Sequence, residues 1–303
     1  MNKLDLVYKF MKENYDYLYL KSRYNQSKNK SILVTGSSHG LLGIDIYEMG
    51  CDRTINVSMH SQDLYYSMLS VKRFVDLNNS VLNTCIIILG YYIPFQDLSR
   101  AGNNANRMIR NVYFPLYGDS HHMSIDKSKD QCLWENIFID SLDEKKEIEE
   151  EAIKILEKRK QYINDLYSRA PYFNFSNIWR CLSVEEQGKY GAIRAEQHNK
   201  HMKYRDSFIE NEEHLKTIKR LVSEKKGRLL IIVPPFSRAY FDYINKDLIE
   251  ETSVLFNKYA DLFIDLNVDQ LGMVFDSGDF VDTDHLNGRG AYKFSKLLKE
   301  MAL

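Results

Sequence analysis

Five short apolar runs, each ended by glycine, proline or polar residues, most strongly constrain how this 303-residue chain can fold. They lie at 31–35, 54–58, 84–90, 228–233 and 262–266. Runs of this length that are rich in β-branched residues are typical of strands buried on both faces of a parallel sheet. Helical patterns alternate with several of these runs, and such alternation predicts right-handed βαβ units. We therefore expect an α/β protein with a five-stranded parallel sheet.

The whole chain, 1–303, is expected to form a single domain with two helical additions. Residues 1–28 carry apolar side chains at helical spacing between charged ones, which predicts a surface helix packed on the domain. The stretch from about 93 to 227 is mostly helical in pattern and falls between strands three and four. Within this insertion, the capping-box sequence at 141–144 predicts a long helix that ends at Ala170-Pro171.

The remaining segments are assigned from their patterns. One helix is expected to begin at 61–63, and three others are expected to cover 211–224, 248–259 and 290–301. The segment 173–200 is mixed in pattern and rich in aromatic residues, and we expect it to be a connection.

Composition excludes several classes of protein. The formal net charge is −1, so no chain-wide basic excess is present to bind nucleic acid by counterion release. No stretch approaches the roughly 18 apolar residues of a membrane-spanning helix. The N-terminus has no signal-peptide apolar core, because charges interrupt it. We expect a cytoplasmic protein.

Metal and cofactor signatures are weak. The adjacent pair His121-His122 is expected in an exposed loop, and His198 and His201 could share a helix face but lack a nearby set of acidic or cysteine ligands. We therefore expect no metal and no cofactor. No Cys-x-x-Cys pair occurs, so a zinc knuckle is not expected and the thiols are expected to be reduced; the cysteines are Cys51, Cys85, Cys132 and Cys181.

Polar side chains of the types that take part in catalysis and binding follow several of the predicted strands. Ligands bind at the carboxyl ends of the strands in open parallel sheets, so residues placed there are candidates for one site. They are Ser37, Ser38 and His39 after the first strand, Ser58 and His60 after the second, Tyr91 and Tyr92 after the third, and Asp282 and His285 after the fifth.

Three of these residues suit nucleophilic catalysis. A serine needs a base to remove its proton, and histidine is the usual base because its pKa lies near neutrality. A carboxylate then orients the histidine, and a single turn can bring Asp282 next to His285. We predict Ser38 as the nucleophile, with Ser37 as the competing serine. Asp284 is a weaker alternative to Asp282 as the orienting acid, because it is adjacent to His285 in the sequence and its side chain would usually point away from the histidine.

The same residues have structural alternatives. Ser38 could be the N-cap of a helix after the first strand, and Asp282 could cap the final helix. Segment 36–40 also invites a nucleotide-binding interpretation. The segment lacks both Gly-x-Gly-x-x-Gly and the Gly-Lys-Ser/Thr of a phosphate loop, so nucleotide binding is a weaker interpretation than nucleophilic catalysis.

Two motifs resemble the SGNH (GDSL-like) hydrolases, which include bacterial enzymes that act on acyl groups of surface glycans. Gly36-Ser37-Ser38 after an apolar strand is similar to a variant of the family's first block, with Ser38 as nucleophile. Asp282-Thr283-Asp284-His285 is similar to its last block, Asp-x-x-His. The resemblance implies a flavodoxin-like three-layer α/β/α sandwich.

The two middle blocks of the family depart from the pattern. Asn56-Val57-Ser58 stands where the family has a glycine, and the resemblance implies that the N–H of Ser58 joins that of Ser38 in the oxyanion hole. Gly90-Tyr91-Tyr92 stands where the family has Gly-x-Asn, so Tyr92 replaces the expected asparagine as a donor. His39 and Tyr91 are weaker candidates for substrate binding.

These observations predict a serine-dependent enzyme that hydrolyses or transfers an ester-linked acyl group. The resemblance implies an acetyl group on a glycan or another small carbohydrate-like ester. The alternative is a non-catalytic binding protein of a polysaccharide pathway that keeps the fold with an altered oxyanion hole.

Overall fold

Five parallel strands form one sheet at the centre of the molecule. The computed structural model describes residues 2–77, 82–162, 178–268 and 274–302. The strand order is β2-β1-β3-β4-β5. The strands are β1 (Ile32–Gly36), β2 (Thr54–Asn56), β3 (Thr84–Ile88), β4 (Arg228–Val233) and β5 (Leu262–Asp265). All five runs predicted as strands are strands, although three of them end one or two residues earlier than expected.

Helices surround the sheet and fill the segment between β3 and β4. Those before this segment are α1 (Lys3–Glu13), α2 (Tyr15–Asn25), α3 (Ser38–Gly43) and α4 (Leu64–Leu77). Those within it are α5 (Asn103–Met108), α6 (Phe114–Tyr117), α7 (Lys129–Trp134), α8 (Leu142–Tyr162), α9 (Ile178–Cys181), α10 (Val184–Asn199) and α11 (Arg205–Glu224). Those after it are α12 (Arg238–Phe241), α13 (Lys246–Tyr259) and α14 (Gly288–Ala302).

Shorter helical turns complete the description. One turn of π-helix spans Ile109–Tyr113, between α5 and α6. Turns of 3-10 helix lie at Ile93–Phe95, Leu98–Arg100, Lys200–Lys203 and Ser277–Asp279.

Alternating strand residues bury both faces of the sheet. Leu33, Ile87 and Ile231 belong to a core that includes residues of α4, α11 and α13. Val34, Ile88 and Ile232 belong to a second core completed by Phe294 and Leu298 of α14. Burial on both faces removes the polar alternation of a half-exposed strand, and this explains why the runs were continuously apolar. The fold is the expected α/β/α sandwich.

Several predicted boundaries differ from the structure. The N-terminal extension forms two helices, α1 and α2, because Asn14 interrupts the chain between them. The connection expected at 173–200 is wrong for its second half, which is the helix α10. A capping box formed by Ser183 and Glu186 begins this helix. The predicted end of the long helix at Ala170-Pro171 lies outside the described residues.

None of the helices in the described ranges combines the length and the apolar character that crossing a membrane requires.

Helix α10 packs unusually closely on α12. A Cβ atom added at Gly191 would lie 1.7 Å from the carbonyl oxygen of Ala239, so only glycine allows the two backbones to approach this far. Gly188, one turn earlier in the same helix, has no atom within 4 Å of such a Cβ. The two glycines therefore differ in packing while sharing one helix.

This difference predicts opposite effects of the same substitution. Gly188→Ala should stabilise the protein by about 0.5–1 kcal/mol, because alanine loses less backbone entropy in a helix. Gly191→Ala should destabilise it by about 1–3 kcal/mol, because the added methyl group forces the two helices apart. Urea denaturation monitored by circular dichroism measures both. Equal effects of the two substitutions would show that the close approach of α10 to α12 is wrong.

Candidate active site

The turn after β1 presents Ser38 at the carboxyl edge of the sheet. Gly36 has φ +138°, and a Cβ there would lie 2.2 Å from the carbonyl oxygen of Ile88 in the neighbouring strand. This glycine lets the chain leave the strand and enter α3 immediately. Ser37 occupies the N-cap position, and Ser38 is the first helical residue, half-buried. The alternative that Ser38 is the N-cap is therefore wrong.

A tight loop presents His285 from the other end of the chain. Phe280 and Leu286 form an antiparallel bridge across it, and the N–H of Val281 donates to the carbonyl oxygen of His285 at 3.0 Å. Asn287, not Asp282, caps the final helix, because its side-chain oxygen accepts the N–H of Gly290 at 3.1 Å. The alternative role of Asp282 as that cap is wrong.

The structure brings Ser38, His285 and Asp282 into one chain of contacts. Ser38 Oγ lies 2.8 Å from His285 Nε2. On the far side of the ring, His285 Nδ1 lies 3.0 and 3.1 Å from the two carboxylate oxygens of Asp282. Asp282 Oδ1 also accepts the backbone N–H of His285 at 2.8 Å, which fixes the carboxylate against the loop. These distances are those of a nucleophile, a base and an orienting acid.

A second, buried row of polar side chains runs beside the first. The ring of His39 stacks on the ring of His285, with centroids 4.8 Å apart and planes at 15°. Ser37 Oγ is within hydrogen-bond distance of His39 Nδ1, at 2.9 Å, and His39 Nε2 lies 3.4 Å from Asp284 Oδ2. Ser37 thus faces His39 and not His285, which separates the two candidate serines.

The position of Asp284 differs from the one expected from the sequence. It does not point away from His285, because its Oδ1 lies 3.7 Å from His285 Nδ1 and its side chain is only 2% exposed. Two carboxylates therefore flank the same ring nitrogen. Asp282 is the closer and is half exposed, whereas Asp284 is farther and buried.

Arg194 is the residue that sequence reasoning missed. It lies on α10, and its Nε is 3.2 and 3.3 Å from the two carboxylate oxygens of Asp284. The capping box at Ser183 and Glu186 could have revealed the helix. Nothing in the spacing of the sequence could have paired a residue of the insertion with a carboxylate 90 positions later.

The charges around His285 favour its protonated form. Burial lowers the pKa of His285, but the charge of Asp284 and the hydrogen bond to Asp282 outweigh burial, so the pKa is raised above its ordinary value of 6.5. Burial acts to raise the pKa of Asp284, yet His285, His39 and Arg194 hold that pKa well below its usual range. Asp284 is therefore a negative charge beside His285.

The three residues expected to form an oxyanion hole differ in whether their donor groups are already hydrogen-bonded. The backbone N–H of Ser58 donates to the side-chain oxygen of Asn56 at 2.9 Å, so the donor expected from the sequence is already engaged. Ser38 is the first residue of α3, where backbone N–H groups have no acceptor within the helix. The Tyr92 ring stacks on His198 at 3.6 Å and lies edge-on to His39. Burial raises the pKa of Tyr92, which keeps its hydroxyl protonated as a donor.

The two weaker candidates for substrate binding are placed in the interior. Tyr91 is 1% exposed, and its hydroxyl donates to both carboxylate oxygens of Asp265 at 2.8 and 2.7 Å. His39 is 3% exposed and is held between Ser37 and Asp284. Both side chains are therefore buried and in contact with neighbouring residues of the site, and their contact with substrate stays a prediction.

The other histidines fall into separate environments. His60, which follows β2, is part-buried, and its carbonyl oxygen accepts the hydroxyl of Tyr113. His198 is buried between Tyr92 and Tyr240.

The site itself is poorly suited to a metal. His39, Asp284 and His285 offer ligand atoms within 4.8 Å of one another. Their ligand atoms are already engaged, because His285 Nε2 contacts Ser38 Oγ, His39 Nδ1 contacts Ser37 Oγ and Arg194 pairs with Asp284.

Comparison with models of known protein families finds no match to this chain, and comparison with curated proteins finds no significantly similar sequence. The interpretation of the site therefore depends on its geometry and on the resemblance of its two motifs.

The electrostatic environment of His285 is directly measurable. In the wild type, the pKa of His285 should exceed 6.5, and Asp284→Asn should lower it, because one negative charge is removed and Arg194 is left unpaired. Titration followed by NMR of ¹⁵N-labelled histidine measures both. Asp276→Asn is the control, because Asp276 is exposed and pairs with Arg289. An unchanged pKa in Asp284→Asn would contradict the role given to Asp284.

Proposed function

We propose that this protein is a serine-dependent enzyme that hydrolyses or transfers an ester-linked acyl group, with an SGNH-type site. The observation that carries the proposal is the unbroken row Ser38–His285–Asp282, with 2.8 Å between the serine oxygen and the histidine nitrogen and 3.0 Å between the histidine and the carboxylate. Residues 247 positions apart meet at the edge where ligands bind in such sheets.

The first half of the reaction forms an acyl-enzyme. Ser38 Oγ attacks the acyl carbonyl carbon while His285 Nε2 takes the hydroxyl proton. Asp282 and Asp284 stabilise the imidazolium so formed. The tetrahedral intermediate collapses, the bond to the alcohol oxygen breaks, and His285 returns the proton to the leaving alcohol.

The second half releases the acyl group. Water, or the hydroxyl of an acceptor, attacks the ester carbonyl of acyl-Ser38 while His285 removes its proton. Collapse of the second tetrahedral intermediate breaks the bond to Ser38 Oγ, and the proton on His285 returns to that oxygen. Hydrolysis and transfer differ only in the attacking hydroxyl.

The oxyanion is stabilised by the N–H of Ser38 and the hydroxyl of Tyr92. Ser58 does not contribute an N–H in this arrangement, because Asn56 holds it. Tyr92 takes the position that an asparagine has in the SGNH pattern, and its buried hydroxyl remains a donor.

The substrate class follows from the resemblance and not from the site. Some bacterial enzymes with this pattern act on acyl groups of surface glycans, so an acetyl group on a carbohydrate hydroxyl is the proposed substrate. The alternative, a non-catalytic binding protein, is favoured by one observation, the engaged N–H of Ser58. Activity measurements separate the two.

Substitution of the two neighbouring serines tests the proposal. Ser38→Ala should reduce hydrolysis of p-nitrophenyl acetate by about 10³-fold or more, because the nucleophile is lost. Ser37→Ala should retain most of the activity, because Ser37 contacts His39 and not His285. Absence of turnover in the wild type with every acyl donor offered would favour the binding protein. Equal loss in both variants would contradict the assignment of the nucleophile.

Two tyrosine variants test the oxyanion donor. Tyr92→Phe should lower kcat by about 10²-fold with little change in KM, because a transition-state hydrogen bond is removed. Tyr91→Phe should instead lower thermal stability and retain kcat, because the hydroxyl of Tyr91 is bound to Asp265 in the core. Full kcat in Tyr92→Phe would show that another group holds the oxyanion.

A further inference from the structure

A second cluster of histidines and carboxylates lies in the segment between β3 and β4. It comprises Asp97 next to the 3-10 turn Leu98–Arg100, the loop residues His121 and His122, and Glu210 of α11. None of these residues belongs to the row Ser38–His285–Asp282. One ligand atom from each of the four residues lies within 4.8 Å of the others.

Two imidazole nitrogens converge on one carboxylate. His121 Nε2 lies 3.0 Å from Glu210 Oε1, and His122 Nε2 lies 2.9 and 3.0 Å from the two oxygens of Glu210. Ligand atoms on a tetrahedral zinc ion with bonds of about 2.1 Å are roughly 3.4 Å apart. A small outward movement of these side chains would therefore admit an ion. Two histidines and one glutamate are also a donor set that zinc uses.

His121 is already held in the orientation of a ligand. Its Nδ1 lies 3.3 Å from Ser99 Oγ and 3.4 Å from Asp97 Oδ1, so the opposite nitrogen, Nε2, faces Glu210. Metal-bound histidines commonly donate their second N–H to a carboxylate, which fixes the tautomer and the ring. The ring also stacks on Tyr65, with centroids 3.8 Å apart. The sequence expectation of an exposed loop is therefore wrong for His121, whose side chain is 10% exposed.

The backbone brings the two histidines to the same side. His121 has φ +55°, a left-handed conformation that costs a residue with a side chain about 1–2 kcal/mol. The result is that consecutive rings lie 3.9 Å apart and both reach Glu210.

The hydrogen-bonding roles at His122 conflict in the absence of an ion. Nε2 of His122 must carry a proton to donate to Glu210 at 2.9 Å. The same nitrogen lies 3.1 Å from the guanidinium of Arg100, which can only donate and therefore requires a free lone pair. One nitrogen cannot satisfy both neighbours. An ion bound to the lone pair, with Arg100 displaced, removes the conflict.

A buried carboxylate oxygen points into the same cluster. The side chain of Asp97 is 4% exposed, and its Oδ2 has no hydrogen-bond partner among the described residues. This oxygen lies 3.9 Å from His122 Nε2 and 3.0 Å from the Nε of Arg100, an ion pair without hydrogen-bond geometry. Asp97 and Glu210 together supply two negative charges, which match one divalent cation.

We propose that His121, His122 and Glu210 bind one divalent transition-metal ion of the zinc type. Asp97 supports His121 and supplies the compensating charge. Arg100 occupies the place of the cation and moves into solvent when the ion binds, since its side chain is 45% exposed. The ion joins the loop that carries His121 and His122 to α11, so its role is to fix the segment between β3 and β4 and not to act on the acyl group.

Calorimetric titration of the chelator-treated full chain with zinc chloride tests the proposal. The wild type should bind one equivalent with Kd at or below about 10 μM, which corresponds to roughly 7 kcal/mol. His122→Ala and Glu210→Gln should each weaken binding by about 100-fold, because each removes a ligand. Glu212→Gln is the matched control, because it lies in the same helix but pairs with Lys258 and Tyr259. Arg100→Ala should bind at least as tightly as the wild type, because it removes the competing cation.

A spectroscopic readout reports the coordination of the ion directly. Cobalt(II) in place of zinc should give the intense visible absorption of tetrahedral coordination in the wild type and in Ser38→Ala, and lose it in Glu210→Gln. Circular dichroism should show that Glu210→Gln remains folded. No binding to either the wild type or Arg100→Ala would overturn the proposal and leave a cluster of ion pairs only. Equal affinity in the wild type and Glu210→Gln would overturn it as well.

Discussion

The parallel pairing of β1 with β3 is the constraint on which the rest of the site depends. The register sets Gly36 opposite Ile88, and the missing side chain of Gly36 allows the strands to stay paired up to their carboxyl ends. Because both faces of the sheet are covered, polar groups gather at this edge. Ser38 and His285 therefore meet there, although they come from opposite ends of the chain.

The electrostatics of the site depend on a balance between two carboxylates and one arginine. Asp284 lies 3.7 Å from His285 Nδ1, and two unit charges at this distance interact by about 4 kcal/mol at an effective dielectric constant of 20. Without a counter-charge, two carboxylates would keep His285 protonated, and a protonated histidine cannot act as a base. Arg194 acts against this protonation. The helix that carries Arg194 thus lowers the pKa of His285 from outside the sheet.

The charge balance around His285 also involves the buried ring of His39, which stacks on it. Burial lowers the pKa of His39, so it is the neutral partner beneath the more basic His285. A neutral ring can share the buried carboxylate of Asp284 without adding a second positive charge next to the base. The two rows of residues are alike in composition, but only the row that begins at Ser38 reaches the surface.

The sequence predicted the parts of the structure that depend on local pattern. Continuous apolar runs identified the strands, because burial on both faces leaves no polar alternation. The spacing of Asp282 and His285 identified their contact, because one turn of chain spans it. Helix α10 was missed although Ser183 and Glu186 form its capping box, because aromatic and glycine residues obscured the helical pattern.

Contacts that depend on tertiary packing could not be predicted. The pairing of Arg194 with Asp284 requires the close approach of α10 to α12 at Gly191. The N–H of Ser58 donates to the side chain of Asn56, and the sequence does not determine whether that side chain turns back to accept it. The left-handed conformation of His121, which turns two adjacent histidines to one carboxylate, has no signature in the sequence.

The most direct measurement of the central claim is the position of a covalent adduct. After incubation with a fluorophosphonate, fragment-ion mass spectrometry of the peptide that contains both Ser37 and Ser38 locates the modified oxygen. We expect an adduct on Ser38 in the wild type and slow or absent labelling in His285→Ala, because the proposed base is removed. An adduct on Ser37, or labelling of Ser38 at an unchanged rate in His285→Ala, would contradict it.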